Sequence, residues 1–382
     1  MEYRTLCSLI SLGLIFSGLI LKKWTNVLFN FKESGTYSLI EKLKLLIWNL
    51  FQIAIVFDAM IWANFMYFYW CPYPFEREQI LKQFFISELK APQNFGYPYS
   101  HGIKSCDNES WYIVPYHATW GSKQIVQVDG EGNRIRGLEE LGFPGLNLAQ
   151  NCETNSFYLG YSNGIAAFED SPNGSSYSIH KWKISGKPDV VKLSHDKRFF
   201  LVRNERFDSQ AIDQRTGNIL LSRHSGHDLA PVSDSGVLLC GNNIYVYENP
   251  FSSPHFVANI NFAHWMYCNR DDKNSTSLLT LFELGEVWKL DDQGKISAKW
   301  KLGYGIRYSI FDATRRLFFT ANYVTGELFA IHVDNGEIAK PIFVGRRTRW
   351  LHLSPDSKEL IFSSSTGFYR LNIDQMLTAS HL

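Results

Sequence analysis

Arginine, spaced among acids and aromatic rings, is the residue type in this chain that most invites a chemical reading. Arg203, Arg307, Arg346, Arg347 and Arg349 recur beside Asp189, Glu205 and Asp228, and beside His117, Trp120, His264, Trp265 and Tyr323. A guanidinium grips a carboxylate or phosphate through two parallel hydrogen bonds, so such a set could hold an anionic ligand or an acidic loop of a partner protein. The same residues could instead pair with one another and do no more than brace the fold. Other chemistries have little support. The sequence contains no H-E-x-x-H, C-x-x-C, C-x-x-C-H, G-x-S-x-G, phosphate loop or dinucleotide fingerprint, so no catalytic residue and no cofactor is assigned. His224 and His227, in Arg-His-Ser-Gly-His-Asp, lack a neighbouring cysteine or carboxylate cluster and read as surface polar residues, so no metal is expected either.

Whether the arginines can act together depends on the elements that carry them. Short runs rich in β-branched and aromatic residues, too short for helices, alternate with turn clusters through most of the chain. An acidic residue closing an apolar run recurs at Asp129, Asp170, Asp213, Glu248, Asp291, Asp334 and Asp374, about 40 residues apart, the period of propeller blades. A second marker keeps phase with it: Ser194-His195-Asp196-Lys197, Ser233-Asp234-Ser235-Gly236, Asp312-Ala313-Thr314-Arg315 and Ser354-Pro355-Asp356-Ser357. A four-stranded sheet cannot bury both faces alone, so the repeat implies stacking. The two markers predict an all-β, seven-bladed propeller of four-stranded antiparallel blades over residues 100–382. In that fold the arginine set converges on one mouth of the axial channel, on the loops entering each inner strand and joining the second strand to the third.

The last two units, Ala321 to Asp374, resemble the YVTN-type β-propeller repeat. They carry its Ser-Pro-Asp turn at Ser354-Pro355-Asp356, a strand ending in Asp, and the corner Gly345-Arg346-Arg347, with Thr348 where that family usually has proline. The resemblance implies the fold and names no reaction.

Residues 1–71 are of another kind. Leu6 to Leu21 is uncharged and apolar, and Leu45 to Tyr69 is long enough to span a bilayer with some tilt. Lys22-Lys23-Trp24 follows the first run in place of a small-x-small cleavage site, which suits an uncleaved anchor. Lys22, Lys23, Lys32, Lys42 and Lys44 crowd the connection between the runs, so the positive-inside rule places that connection in the cytoplasm and the propeller outside. Asp58 lies near the middle of the second span with Asn49, Gln52 and Asn64 along it. Such groups need partners in hydrocarbon, which predicts contact with the helix of a partner subunit; the alternative is a protonated Asp58 against Ser8, Ser11 and Ser17 of the first run. Residues 72–99 form a connector in which Glu76 to Leu89 has helical apolar spacing. It reads as a short amphipathic helix, either a stem packed on the propeller, which an apolar face of this length favours, or an interfacial or partner-binding helix. Either a segment before Ser100 or the tail after Asp374 must then supply the outer strand of the last blade.

Cys106 and Cys152 fall in turns of adjacent blades on one face, so a disulfide between them is geometrically possible in an oxidising compartment. Cys240 and Cys268 are similarly placed in blades four and five, with Cys240 further into its strand and simple burial the alternative for it. With 382 residues, 45% hydrophobic, 20% charged and a net charge of +1, the composition argues against an electrostatic nucleic-acid binder. Two functions follow. The first is a propeller anchored in the inner or plasma membrane, a non-catalytic accessory subunit docking onto another membrane or extracytoplasmic protein. The alternative is a propeller-type hydrolase or lactonase acting on a small anionic substrate.

Overall fold

Three of the acids that mark the repeat, Asp129, Asp213 and Asp291, are turn builders. A computed structural model of the chain describes residues 75–89, 101–114, 124–141 and 148–380, with Gln52, and omits within those spans 163, 172, 185, 205, 207, 225, 233–234, 261–265 and 349. In it Asp129 accepts the backbone N–H groups of Glu131 (2.9 Å) and Asn133 (2.8 Å), and Asp291 those of Gln293 (3.1 Å) and Lys295 (2.7 Å). Asp213 does the same for Thr216 at 2.8 Å. A short carboxylate that satisfies the turn's own N–H groups ends a strand and reverses the chain. The serine-led marker works likewise at the other end of each blade, where Ser194 Oγ and Ser354 Oγ each donate to the aspartate two residues on at 2.6 Å. Asn108, Asn155, Lys197, Ser275, Arg316 and Ser357 occupy equivalent positions in these turns, all with φ between 44° and 63°.

Between the turns lie seven four-stranded antiparallel sheets, a seven-bladed β-propeller. From the axis outwards, blade one is β2 (His101–Lys104), β3 (Ser110–Val114), β4 (Val126–Asp129) and β5 (Arg134–Gly137). Blade two is β6 (Leu148–Asn151) to β9 (His180–Lys183), blade three β10 (Pro188–Leu193) to β13 (Ile219–Arg223), and blade four β14 (Gly226–Val232) to β17 (His255–Asn259). Blade five is β18 (Met266–Asp271) to β21 (Ile296–Lys301), and blade six β22 (Ile306–Asp312) to β25 (Ile342–Phe343). Blade seven is β26 (Trp350–Leu353), β27 (Glu359–Ser363), β28 (Phe368–Asn372) and, outermost, β1 (Ile86–Leu89) from the far end of the chain.

The ring is therefore closed by a segment before Ser100, with Ile86 opposite Leu371 and Leu89 opposite Phe368. The tail forms helix α2 (Ile373–Ser380) instead, with Met376 buried in the core shared by blades six and seven. The connector needs a corresponding correction. Helix α1 covers only Glu76–Leu81, and Ile86 to Leu89 is strand. The apolar spacing at Ile80, Phe85, Ile86 and Leu89 serves both, because a turn at residues 82–85 swings the chain from helix to strand while all four stay buried. The stem does pack on the propeller, with Ile80, Phe85 and Ile86 in one cluster with Phe319, Phe362 and Tyr369.

Neighbouring blades are sewn together by polar side chains. Trp182 Nε1 donates to Gln214 O (2.7 Å) and Trp300 Nε1 to Gly336 O (3.1 Å), each from an outer strand to the next blade's turn. Arg316 of blade six reaches both oxygens of Asp271 in blade five at 2.5 Å and Asp334 at 2.8 Å. Disulfides join Cys106 to Cys152 and Cys240 to Cys268, with Cα separations of 5.3 and 6.4 Å.

The chain divides into two compact units, Met1–Pro72 and Tyr73–Leu382. The apolar runs at 6–21 and 45–69 belong to the first and, Gln52 apart, lie outside the described residues. Among the described residues no helix is long and apolar enough to cross a membrane.

Candidate functional site

The axial channel is walled by the innermost strands β2, β6, β10, β14, β18, β22 and β26, and its wall has two unlike arcs. One is aromatic. Tyr267, Tyr308, Trp350 and His101, from blades five, six, seven and one, stand ring against ring with centroids 5.1, 4.7 and 4.9 Å apart. Trp350 Nε1 donates to Gly102 O at 3.2 Å, which ties the last blade to the first. Burial pushes the Tyr308 phenol well above its ordinary value, reinforced by the nearby charge of Asp228 and by Tyr267.

The other arc is ionic. Lys192 of blade three donates to both oxygens of Asp228 in blade four (2.9 and 3.0 Å) and to Leu229 O (2.5 Å). The remaining capacity of Asp228 accepts the backbone N–H of Cys268 at 3.0 Å. Arg203 donates to Asp189 (2.8 Å) and to His227 O (2.7 Å). Burial opposes the charge on Arg203, but Asp189, Tyr267 and Asp228 outweigh it and hold its pKa above the ordinary value. Buried charges persist only when paired in this way.

Of the residues singled out in the sequence, Asp189, Arg203, Asp228, Arg307 and Tyr323 gather at one end of the channel. Arg307 Nε donates to Tyr267 Oη at 3.3 Å, and its guanidinium lies 5.3 Å from the Tyr323 ring and 6.0 Å from that of Phe282. Arg346 and Arg347 are placed differently. Arg346 turns outward to Glu76 of α1, with Nε 3.7 Å from the carboxylate, and Arg347 is buried in the corner before β26, its backbone N–H donating to Tyr323 O at 2.8 Å. Burial raises the pKa of Glu76, against Ser365, which donates to it at 2.7 Å, and Arg346. His117, Trp120, Glu205, His264, Trp265 and Arg349 lie outside the described residues, as do Asn49, Asp58 and Asn64. Gln52 is helical, but the membrane-helix contact expected for these four residues lies outside the described residues. His224 pairs with Asp208 at 2.7 Å, and among the described residues no group of three or more His, Cys, Asp or Glu is placed to hold a metal.

Sequence reasoning overlooked the channel lining itself, Lys192, Tyr267, Tyr308, Trp350 and His352. A signal was present. Lys192, Asn269, Ile310 and His352 each stand two residues before the turn residue that ends an inner strand (Ser194, Asp271, Asp312 and Ser354), and all four line the channel. Because side chains alternate along a strand, the turn marker fixes which residues face the axis.

No protein-family model matches the chain, and no curated protein matches it. Among solved structures it is similar to a chain described as Kuenenia stuttgartiensis Hydrazine Synthase, at 12% identity and a TM-score of 0.55, covering 74% of this chain and 97% of that one. At that identity the likeness shows a shared propeller fold and nothing further.

Proposed function

We propose that this protein is a membrane-anchored, extracytoplasmic β-propeller of the YVTN repeat type that docks as a non-catalytic accessory subunit onto another membrane or extracytoplasmic protein. The observation that carries the reading is the rim of the channel mouth on blades five and six. There Tyr304 is 62% exposed, its ring 5.2 Å from that of Phe282, with Arg307 lying between Phe282 and Tyr323. An exposed tyrosine beside a half-buried arginine on a packed aromatic base is a pairing of the side-chain types that dominate binding energy at protein interfaces. Deeper in the channel Lys192 and Arg203 are committed to Asp228 and Asp189, a bracing role rather than a reactive one.

The apolar runs at 6–21 and 45–69 support the anchor, the lysines between them support an outside propeller, and the two disulfides suit an oxidising compartment. Reporter fusions test the arrangement. One that is active only outside the cytoplasm should work when fused after Leu382 and fail near Lys32; the reverse pattern would contradict it. The hydrolase reading is tested on the full chain with a panel of lactones and esters. Turnover abolished by Arg307→Ala would replace the docking reading.

A further inference from the structure

At the end of the channel opposite the arginine mouth, beneath the serine-led turns, lies a cavity of about 400 Å³. That size is at the small end of ligand-binding pockets. Its wall is mostly apolar, formed by Leu148, Tyr308, Ile310, Trp350 and Leu351. Its rim is basic, with Arg270 near the end of β18, Lys273 and Arg316 in the turns and Lys192 further in, against Asp271 as the acid among the lining residues. Lys192 and Arg316 are held by aspartates, whereas Lys273 is exposed and has no ion pair among the described residues. His352 stands on the wall with its Nε2 shut off from water and no hydrogen bond among the described residues. Burial lowers its pKa to about 4, so the imidazole is neutral at physiological pH and its shielded Nε2 is left without a partner among the described residues. A shielded polar group without a partner is costly to a fold, and a guest that supplies one recovers that cost.

We propose that this cavity binds a small apolar carboxylate, its ring or chain against Trp350, Tyr308 and Leu351, its charge at the Lys273 and Arg270 rim, and His352 hydrogen-bonded to it from the wall. The cavity is lined by different residues from the Tyr304 rim, although Tyr308 of its wall packs against Tyr267, which accepts from Arg307. Benzoate is a suitable probe, read by saturation-transfer NMR on the detergent-solubilised full chain. Benzoate should bind the wild type, and benzyl alcohol at least about tenfold more weakly, because the rim selects charge. Lys273→Glu, an exposed change, should weaken benzoate by about tenfold or more. Ala313→Trp, exposed at the cavity edge, should block it, and His352→Phe should weaken it while keeping the shape of the wall. Thermal melting of each variant shows that the fold survives. The proposal is overturned if benzoate does not bind the wild type, if benzyl alcohol binds as well, or if folded Lys273→Glu and Ala313→Trp both bind benzoate like the wild type.

Discussion

Arg316 shows how much of this molecule rests on single side chains. It occupies the positive-φ position of its turn, φ 61°, and from there clamps Asp271 and Asp334. Asp271 is almost wholly buried, so removing the guanidinium strands a carboxylate away from water. We expect Arg316→Met to lower stability by about 3–5 kcal/mol, the range for breaking a buried pair from one side. Thermal unfolding of the purified full chain measures it, and a loss of a few tenths would contradict the clamp. The same pair sets a pH dependence. Burial alone would raise the Asp271 pKa, but the hydrogen bonds and charge of Arg316 overcome that and hold it below the ordinary aspartate value; Asp334 is lowered chiefly by Arg316 as well. A carboxylate whose folded pKa is depressed contributes stability that is present above its unfolded pKa and lost as pH falls through the folded one. The melting temperature should therefore drop as pH falls below about 4, and Arg316→Met should flatten that drop. Asp170 and Glu76, raised by burial, act in the opposite sense, since protonation relieves them.

At the scale of elements, closure of the ring depends on four residues far from their partners in sequence, β1 against β28, with Ile86 paired to Leu371 and Leu89 to Phe368. Ile86, 5% exposed, anchors that strand in the core of blades six and seven. Ile86→Ala should cost about 2–4 kcal/mol through the cavity it leaves, whereas Phe84→Ala, at a side chain 75% exposed, should change the melting temperature little. Equal effects would mean that β1 does not close the ring. The blades were legible in the sequence because their markers are local devices. Asp129 and Asp291 satisfy N–H groups two and four residues on, Ser194 and Ser354 an aspartate two residues on, and such work leaves a fixed spacing. The closing strand was not legible. Glu76 to Leu89 has helical spacing throughout, and only the unpaired edge of β28 selects strand for Ile86 to Leu89. Channel residues such as His352 and Tyr308 were missed for a related reason, since facing the axis is a property of register and leaves no mark on residue type.

At the scale of the whole molecule, the blades form a ring stapled by ion pairs and disulfides, and the proposed docking role adds a tether through the N-terminal runs and a partner at the Tyr304 rim. Peptide mapping without reduction should recover Cys106–Cys152 and Cys240–Cys268 from material made in its native compartment; free thiols at all four would argue against an extracytoplasmic ring. The measurement that bears most directly on docking is the mass and composition of the complex that the tagged full chain forms in mildly solubilised membranes, compared with Asp58→Leu and Tyr304→Ala. The wild type is predicted to carry a second protein in fixed stoichiometry. Asp58→Leu should release it or weaken its hold by removing the intramembrane contact, and Tyr304→Ala should weaken it by about tenfold or more, as for a hot-spot aromatic, both with an unchanged propeller melt. A wild-type chain that runs alone, or one whose partner is held equally by both variants, would contradict the account.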